Sequence, residues 1–283
     1  MKVELKSWTG LGLATALVGA GLAGCSGEGG EGGEGEGGET AQTAQTGEAG
    51  EGEGGESGEG EGGEGEGGEG GVAFDQAASD PVVYGSALAV AEAHAIAAKD
   101  AFAAGKTKEA GEMFAHPVSE VLADMAPAFK ELGVDDFKPL FGEASTAALD
   151  GASAENVATK YDAIIAALRA AAEKAPDNGS SDAAITAGIA ADQIERAIAM
   201  YKQAAETDEY APYLDGYGFS KAAAVVFEGN AAAIQKEDGD LHAALSEALA
   251  LLAKAYPSVE RPDTLNANQG ALTAAGSKVL LAL

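Results

Sequence analysis

The residues best suited to hold a ligand are histidines with carboxylates at helical spacing. The chain has three histidines. Glu112 lies four residues before His116 and Glu120 lies four residues after it, and residues four apart share one face of a helix. Imidazole and carboxylate groups are donors for iron and other divalent metals. We therefore predict His116 and Glu120 as metal ligands, with His94 as a third if its helix packs alongside.

Ordinary packing roles are the alternative for each histidine. His94 is flanked by alanines, which suits a buried packing position. His116 precedes Pro117, where it could cap a helix end or pack beside Phe114. His242 follows several carboxylates at a helix start and is predicted to be a solvated surface residue. A divalent metal or iron is the only cofactor that these residues suggest.

A second candidate site is a group of aromatic and acidic residues between 208 and 219. Tyr210 and Tyr217 could line a ligand groove that uses aromatic faces and carboxylates. The alternative is a role in the core, because aromatic residues at helical spacing are more often buried. Asp192 and Glu195, one turn apart, could add ligands if they face inward. The other members of the group are Asp208, Glu209, Tyr213, Asp215 and Phe219.

The sequence carries none of the common enzyme signatures that we looked for. HExxH, GxSxG and the phosphate-binding GxxxxGK[ST] are all missing. The formal net charge of −29 argues against a nucleic-acid partner, because phosphates require a basic surface. We therefore predict a binding or structural protein rather than an enzyme, with a hydrolase as a distant third reading.

The N-terminus reads as an export signal. Lys2 and Lys6 precede an apolar run over 11–22, which is too short to span a bilayer, since a span needs about 20 apolar residues. The end of the run, Leu22-Ala23-Gly24-Cys25, resembles the lipobox of bacterial lipoproteins. That resemblance implies removal of residues 1–24 and a membrane anchor of acyl chains such as palmitate on Cys25. An ordinary secreted protein with a chance cysteine is the alternative.

The resemblance to lipoproteins also implies a location. Ser26, rather than Asp, follows the cysteine, and in Gram-negative lipoproteins this favours the outer membrane, facing the periplasm. Residues 25–71 are then mostly Gly and Glu. They hold too little apolar surface to offset the entropy of ordering. We predict that this stretch is a disordered linker that holds the remaining domain away from the membrane.

Residues 72–283 are predicted to be all-α, a helical bundle in two four-helix halves, 80–175 and 181–283. Apolar residues recur at helical spacing, and cap and stop signals are frequent. Helix starts are predicted at Asp80 with Pro81, at Asp135 and at Ser153. The pair His116-Pro117 is predicted to interrupt a helix. Predicted helices cover 81–104, 107–116, 117–132 with a kink at Pro127, 135–151, 153–174, 182–206, 211–237, 240–256 and 264–282.

The helical part is similar to the imelysin-like proteins of iron uptake and to helical periplasmic domains associated with iron permeases. The resemblance rests on the layout and on three short pieces: 116–120 (His-Pro-Val-Ser-Glu), Glu209-Tyr210 through Gly218-Phe219, and 256–258 (Tyr-Pro-Ser). It implies a periplasmic role in iron acquisition. The imelysin pattern Gly-x-His-x-x-Glu differs here, because Glu120 follows His116 at the fourth position.

Together these features predict a lipid-anchored periplasmic helical protein that binds a metal, with iron uptake as its role. The alternative is a structural or interaction lipoprotein without a small ligand, whose bundle docks on another envelope protein. Convergence of the predicted ligands in one place would favour the first reading, and their dispersal over the surface would favour the second.

Overall fold

The computed structural model describes residues 74–283, and this part of the chain is entirely helical, which confirms the all-α prediction. The predictions for the signal at 1–24, for Cys25 and for the linker at 25–71 lie outside the described residues. A short 3₁₀ helix, Phe74–Gln76, precedes the bundle. The α-helices are α1 Pro81–Ala103, α2 Thr107–Glu120, α3 Ala126–Leu132, α4 Lys138–Leu149, α5 Ala154–Ala172, α6 Asp182–Glu206, α7 Ala211–Glu237, α8 Gly239–Ala255 and α9 Gln269–Ala282.

Side-chain caps set the starts of several helices as the sequence predicts. The Asp80 carboxylate accepts hydrogen bonds from the backbone N–H groups of Val82 and Val83 at the start of α1. Ser153 caps α5 in the same way. Such caps satisfy N–H groups that have no partner inside the helix. After α1 the chain turns at Gly105, whose φ of +80° suits glycine.

Three predicted boundaries were wrong. Pro117 lies inside α2, and the chain leaves the helix at 121–125 instead. Proline removes one helical hydrogen bond, and the burial of Met113, Phe114 and Pro117 offsets that loss. Helix α4 begins at Lys138 rather than at Asp135. Helix α9 begins five residues later than the predicted 264, because Asn268 provides its cap.

Helix α1 is the centre of the bundle. It packs against α2 and α5 on one part of its surface and against α6 and α7 on another. It is the one helix in the described part of the chain that is long and apolar enough to cross a membrane. However, 94% of its most apolar window is buried inside the bundle, which is the position of a core helix.

The core consists mainly of alanines and aromatic residues between Ala77 and Val279. Small side chains let the helices approach closely, for example where α7 crosses α1. A Cβ atom added to Gly218 would lie 2.5 Å from the Ala93 carbonyl oxygen. Since residues 77–279 supply this core themselves, we expect 72–283 to fold as an independent unit. Its division into halves at 80–175 and 181–283 stays a prediction.

Candidate metal centre

Three side chains from three helices converge beside α1. They are His94 of α1, His116 of α2 and Asp215 of α7. One ligand atom from each lies within 4.8 Å of the other two. Two of the three are the histidines that the sequence analysis singled out. The third residue, Asp215, appeared there only as a member of the group of aromatic and acidic residues between 208 and 219.

His94 is held in one orientation by its own helix. Only 1% of the residue is exposed, and its Nδ1 lies 2.8 Å from the Val90 carbonyl oxygen. A carbonyl oxygen can only accept, so Nδ1 carries a proton and donates it. The other ring nitrogen, Nε2, lies 4.0 Å from Oδ1 of Asp215. Metal-binding histidines commonly donate one N–H to a carbonyl in this way, which fixes the ring and directs the second nitrogen at the metal.

His116 forms the outer side of the centre. Its ring meets the His94 ring edge-on, with the centroids 5.9 Å apart. His116 is half-buried, whereas His94 is buried. It is also the residue before Pro117, so it lies where α2 lacks one backbone N–H donor. Of the two histidines, His116 is therefore the one nearer to solvent.

Close helix packing places Asp215. The glycines that follow it, Gly216 and Gly218, both face contacts that a larger residue could not make. At Gly216 an added Cβ would collide with the Tyr256 ring, and at Gly218 with the backbone of Ala93. Gly218 lets α7 lie against α1, Gly216 leaves room for Tyr256 and for Met200 of α6, and the Asp215 side chain is only 11% exposed. A half-buried carboxylate beside two imidazoles forms a mixed nitrogen and oxygen donor set.

An aromatic ring and a paired cation border the centre. The Phe219 ring packs edge-on against His94, with 5.6 Å between the centroids. The Arg196 guanidinium lies 5.9 Å from the centroid of the same Phe219 ring. Arg196 also donates from Nε to Oδ2 of Asp192 at 3.0 Å, so part of its charge is balanced on its own helix. Of the two acidic residues predicted as additional ligands, Asp192 pairs with Arg196 and Glu195 is exposed.

The predicted ligand Glu120 lies one helical turn after His116 on α2. It is the last residue of that helix, it is exposed, and it is not one of the three convergent groups. Glu112 is also exposed and pairs with Lys108 at 2.8 Å. Helical spacing relates these carboxylates to His116 along one helix, but the third group near the two histidines comes from α7, more than 90 residues later in the chain.

The two tyrosines predicted for a ligand groove both make hydrogen bonds within the protein. Tyr217 is buried, and its hydroxyl donates to Oδ2 of Asp100 at 2.8 Å. Tyr210 is half-buried and donates to the Val259 carbonyl at 2.7 Å. Burial raises the pKa of both phenols. The remaining histidine, His242, packs against Phe227 with 5.2 Å between ring centroids, away from the convergent groups.

The comparisons with known proteins give no relative for this chain. No protein-family model matches it, and neither a curated protein nor a solved structure shows significant similarity to it. The chemistry of the centre therefore has to follow from His94, His116 and Asp215 themselves.

Proposed function

We propose that this protein binds a divalent transition metal through His94, His116 and Asp215. The observation that carries the proposal is the convergence of the three ligand atoms within 4.8 Å. Each comes from a different helix, so the arrangement is a property of the folded bundle and not of any one segment. Both histidines predicted from the sequence belong to this group, which supports the proposal, and the carboxylate in the group is Asp215 rather than Glu120.

The spacing of the donors is compatible with one ion. Ligands about 2.1 Å from a metal are roughly 3–4 Å from each other. The gap of 4.0 Å between His94 Nε2 and Asp215 Oδ1 is at the upper end of that range. No two of the three ligand atoms are more than 4.8 Å apart. A movement of less than about 1 Å by each side chain would bring that separation into the range for one ion. The half-buried His116 is the ligand with room to make that movement.

The donor set favours some metals over others. Two imidazoles and one carboxylate suit Fe(II), Zn(II), Ni(II) and Cu(II), whereas Ca(II) prefers sites made of oxygen alone. Three protein ligands also leave coordination positions for water or for a carrier molecule. Such a site suits a protein that takes up a metal and passes it on. We propose that it does so at the cell envelope, anchored through Cys25 at the periplasmic face of the outer membrane, with iron as the leading candidate.

The direct test is a titration of residues 72–283 with each metal, followed by thermal unfolding and calorimetry. We expect a saturable rise in melting temperature with a transition metal and none with Ca(II). At a free-metal concentration one hundred times the dissociation constant, the stabilisation is about 2.7 kcal/mol. For a domain of this size that corresponds to roughly 5–10 °C.

Single substitutions identify the ligands. His116→Ala and Asp215→Asn should each weaken binding by at least about a hundredfold, because each removes a direct ligand. Two matched controls should bind as the parent does: His242→Ala removes a histidine outside the cluster, and Glu120→Ala removes an exposed carboxylate at the end of α2. A folded domain that responds to no transition metal would overturn the proposal and favour an envelope interaction protein.

The location has a test of its own. Cells that produce the full chain should incorporate labelled palmitate into the protein, and Cys25→Ser should abolish that labelling while leaving 72–283 intact. Labelling that persists in the variant would contradict an anchor at Cys25.

A further inference from the structure

A cleft of about 400 Å³ lies between α8, α9 and the segment that joins them. It is separate from the three metal ligands, none of which lines it. Its volume is in the range of small-molecule sites, about 300–1,000 Å³. No step of the proposed metal chemistry uses it.

The walls of the cleft are mainly apolar. Leu272 is buried, and Leu251 and Leu265 are half-buried. Alanines and prolines complete the apolar surface. An apolar ligand segment that enters the cleft would gain roughly 25 cal/mol for each square ångström removed from water. The cleft therefore accommodates a short hydrocarbon chain.

The charge of the cleft is unusual for this protein. The whole chain has 46 acidic residues against 17 lysines and arginines. Even so, no carboxylate is among the described residues that line the cleft, and its one charged lining residue is Lys254. Lys254 is exposed, so its ammonium group can reach an anion at the opening. An anionic ligand would be attracted by Lys254 here and repelled by acidic side chains over much of the remaining surface.

A phenol lies at the inner wall. Tyr201 is 1% exposed, and its hydroxyl oxygen accepts a hydrogen bond from the Ala267 backbone N–H at 2.8 Å. An oxygen that accepts in this way still carries its own hydrogen, which can be donated. The Tyr201 ring is fixed edge-on against Tyr256, with 5.5 Å between the centroids. The cleft thus combines a buried phenol, a cation and apolar walls.

We propose that this cleft binds a small carboxylate with an apolar tail, such as a medium-chain fatty acid. The tail lies between Leu251, Leu265 and Leu272, and the carboxylate pairs with Lys254. The site is independent of the metal centre, so either proposal can fail without the other.

The probe is octanoate, titrated by calorimetry into residues 72–283 in the presence of a chelator that removes metals. Octanol and octylamine serve as ligands with the same tail but with no charge or a positive charge. We expect one saturable octanoate site, affinity at least about tenfold lower for octanol, and no binding of octylamine. A tenfold difference is the size of one charge-assisted contact.

Three variants locate the site. Lys254→Ala should lower octanoate affinity about tenfold and leave octanol unchanged, while Leu265→Asp should abolish octanoate binding by placing a carboxylate in the cleft. Lys236→Ala removes an exposed lysine that does not line the cleft and should bind as the parent does. Absence of octanoate binding would overturn the proposal. So would equal affinity for octanoate and octanol, or full affinity in Lys254→Ala.

Discussion

Gly218 offers a sharp test of how the centre is built, because a single methyl group there must separate two helices. In Gly218→Ala the new Cβ would lie 2.5 Å from the Ala93 oxygen and 3.1 Å from the Ala97 Cβ. Ordinary contact begins near 3.4 Å, so α7 would have to move by about 0.9 Å. The obstructing atom belongs to the backbone of a buried helix, which cannot turn aside as a side chain would.

The expected cost follows from two opposing terms. Overpacking of a core costs about 1–3 kcal/mol, and replacing glycine by alanine inside a helix contributes up to about 1 kcal/mol in the other direction. We expect a net loss of about 1–2 kcal/mol, which lowers the melting temperature by roughly 2–8 °C. The same displacement carries Asp215 away from His94, so metal affinity should fall as well.

Gly229 is the matched control for this substitution. It lies on the same helix, beside a kink at Asn230, and an added Cβ there would meet no atom within 4 Å. Gly229→Ala should therefore be close to neutral. Thermal unfolding followed by circular dichroism compares the two variants. If Gly218→Ala melts at or above the parent temperature, the close contact between α7 and α1 does not limit the position of Asp215.

Two further predictions concern buried polar groups. Arg169 donates two hydrogen bonds to Glu92, which is 4% exposed. Arg169→Ala should lower the free energy of unfolding in urea by about 3 kcal/mol, and adding Glu92→Gln should recover most of that loss. A loss that Glu92→Gln does not recover would show that packing of the arginine stem dominates. Burial raises the pKa of Tyr161 and of Tyr213 from 10.0 to about 12. Because the fold holds these protons more strongly than the unfolded chain does, their contribution is complete below pH 10 and is lost as pH rises through 12. The melting temperature should decline as the pH rises over that range, and it should decline less steeply in Tyr161→Phe. If the tyrosinate absorbance is already complete near pH 10, the raised pKa values are contradicted.

Local signals explain why much of the fold can be predicted from the sequence. Asp80, Ser153 and Ser181 each cap the helix that begins one residue later, and such caps depend only on neighbours in the chain. Pro117 was misread because its effect depends on burial. A proline in the interior of a helix costs one hydrogen bond, and only the folded structure shows that Met113 and Phe114 beside it are buried.

The site was predicted in part for a similar reason. His94 and His116 stand out because histidine is rare in this chain, with three in 283 residues. Asp215 is one of 46 acidic residues, and nothing in its immediate spacing relates it to either histidine. What selects it is the contact of α7 with α1 at Gly218. The glycines at 216 and 218 were the available signal, because two glycines inside a long helix suggest close packing.

The proline inside helix α2 has a consequence for the rate at which a metal enters and leaves. Pro117 leaves the Met113 carbonyl without its usual helical donor, and α2 lies at the side of α1 where the half-buried His116 meets solvent. Local opening of α2 should therefore need less free energy than opening of α1, because 94% of the most apolar stretch of α1 is buried. The residence time of a bound ion would then follow the fluctuations of one outer helix. Amide protons of α2 should become slower to exchange when the metal binds, while those of α1 change little.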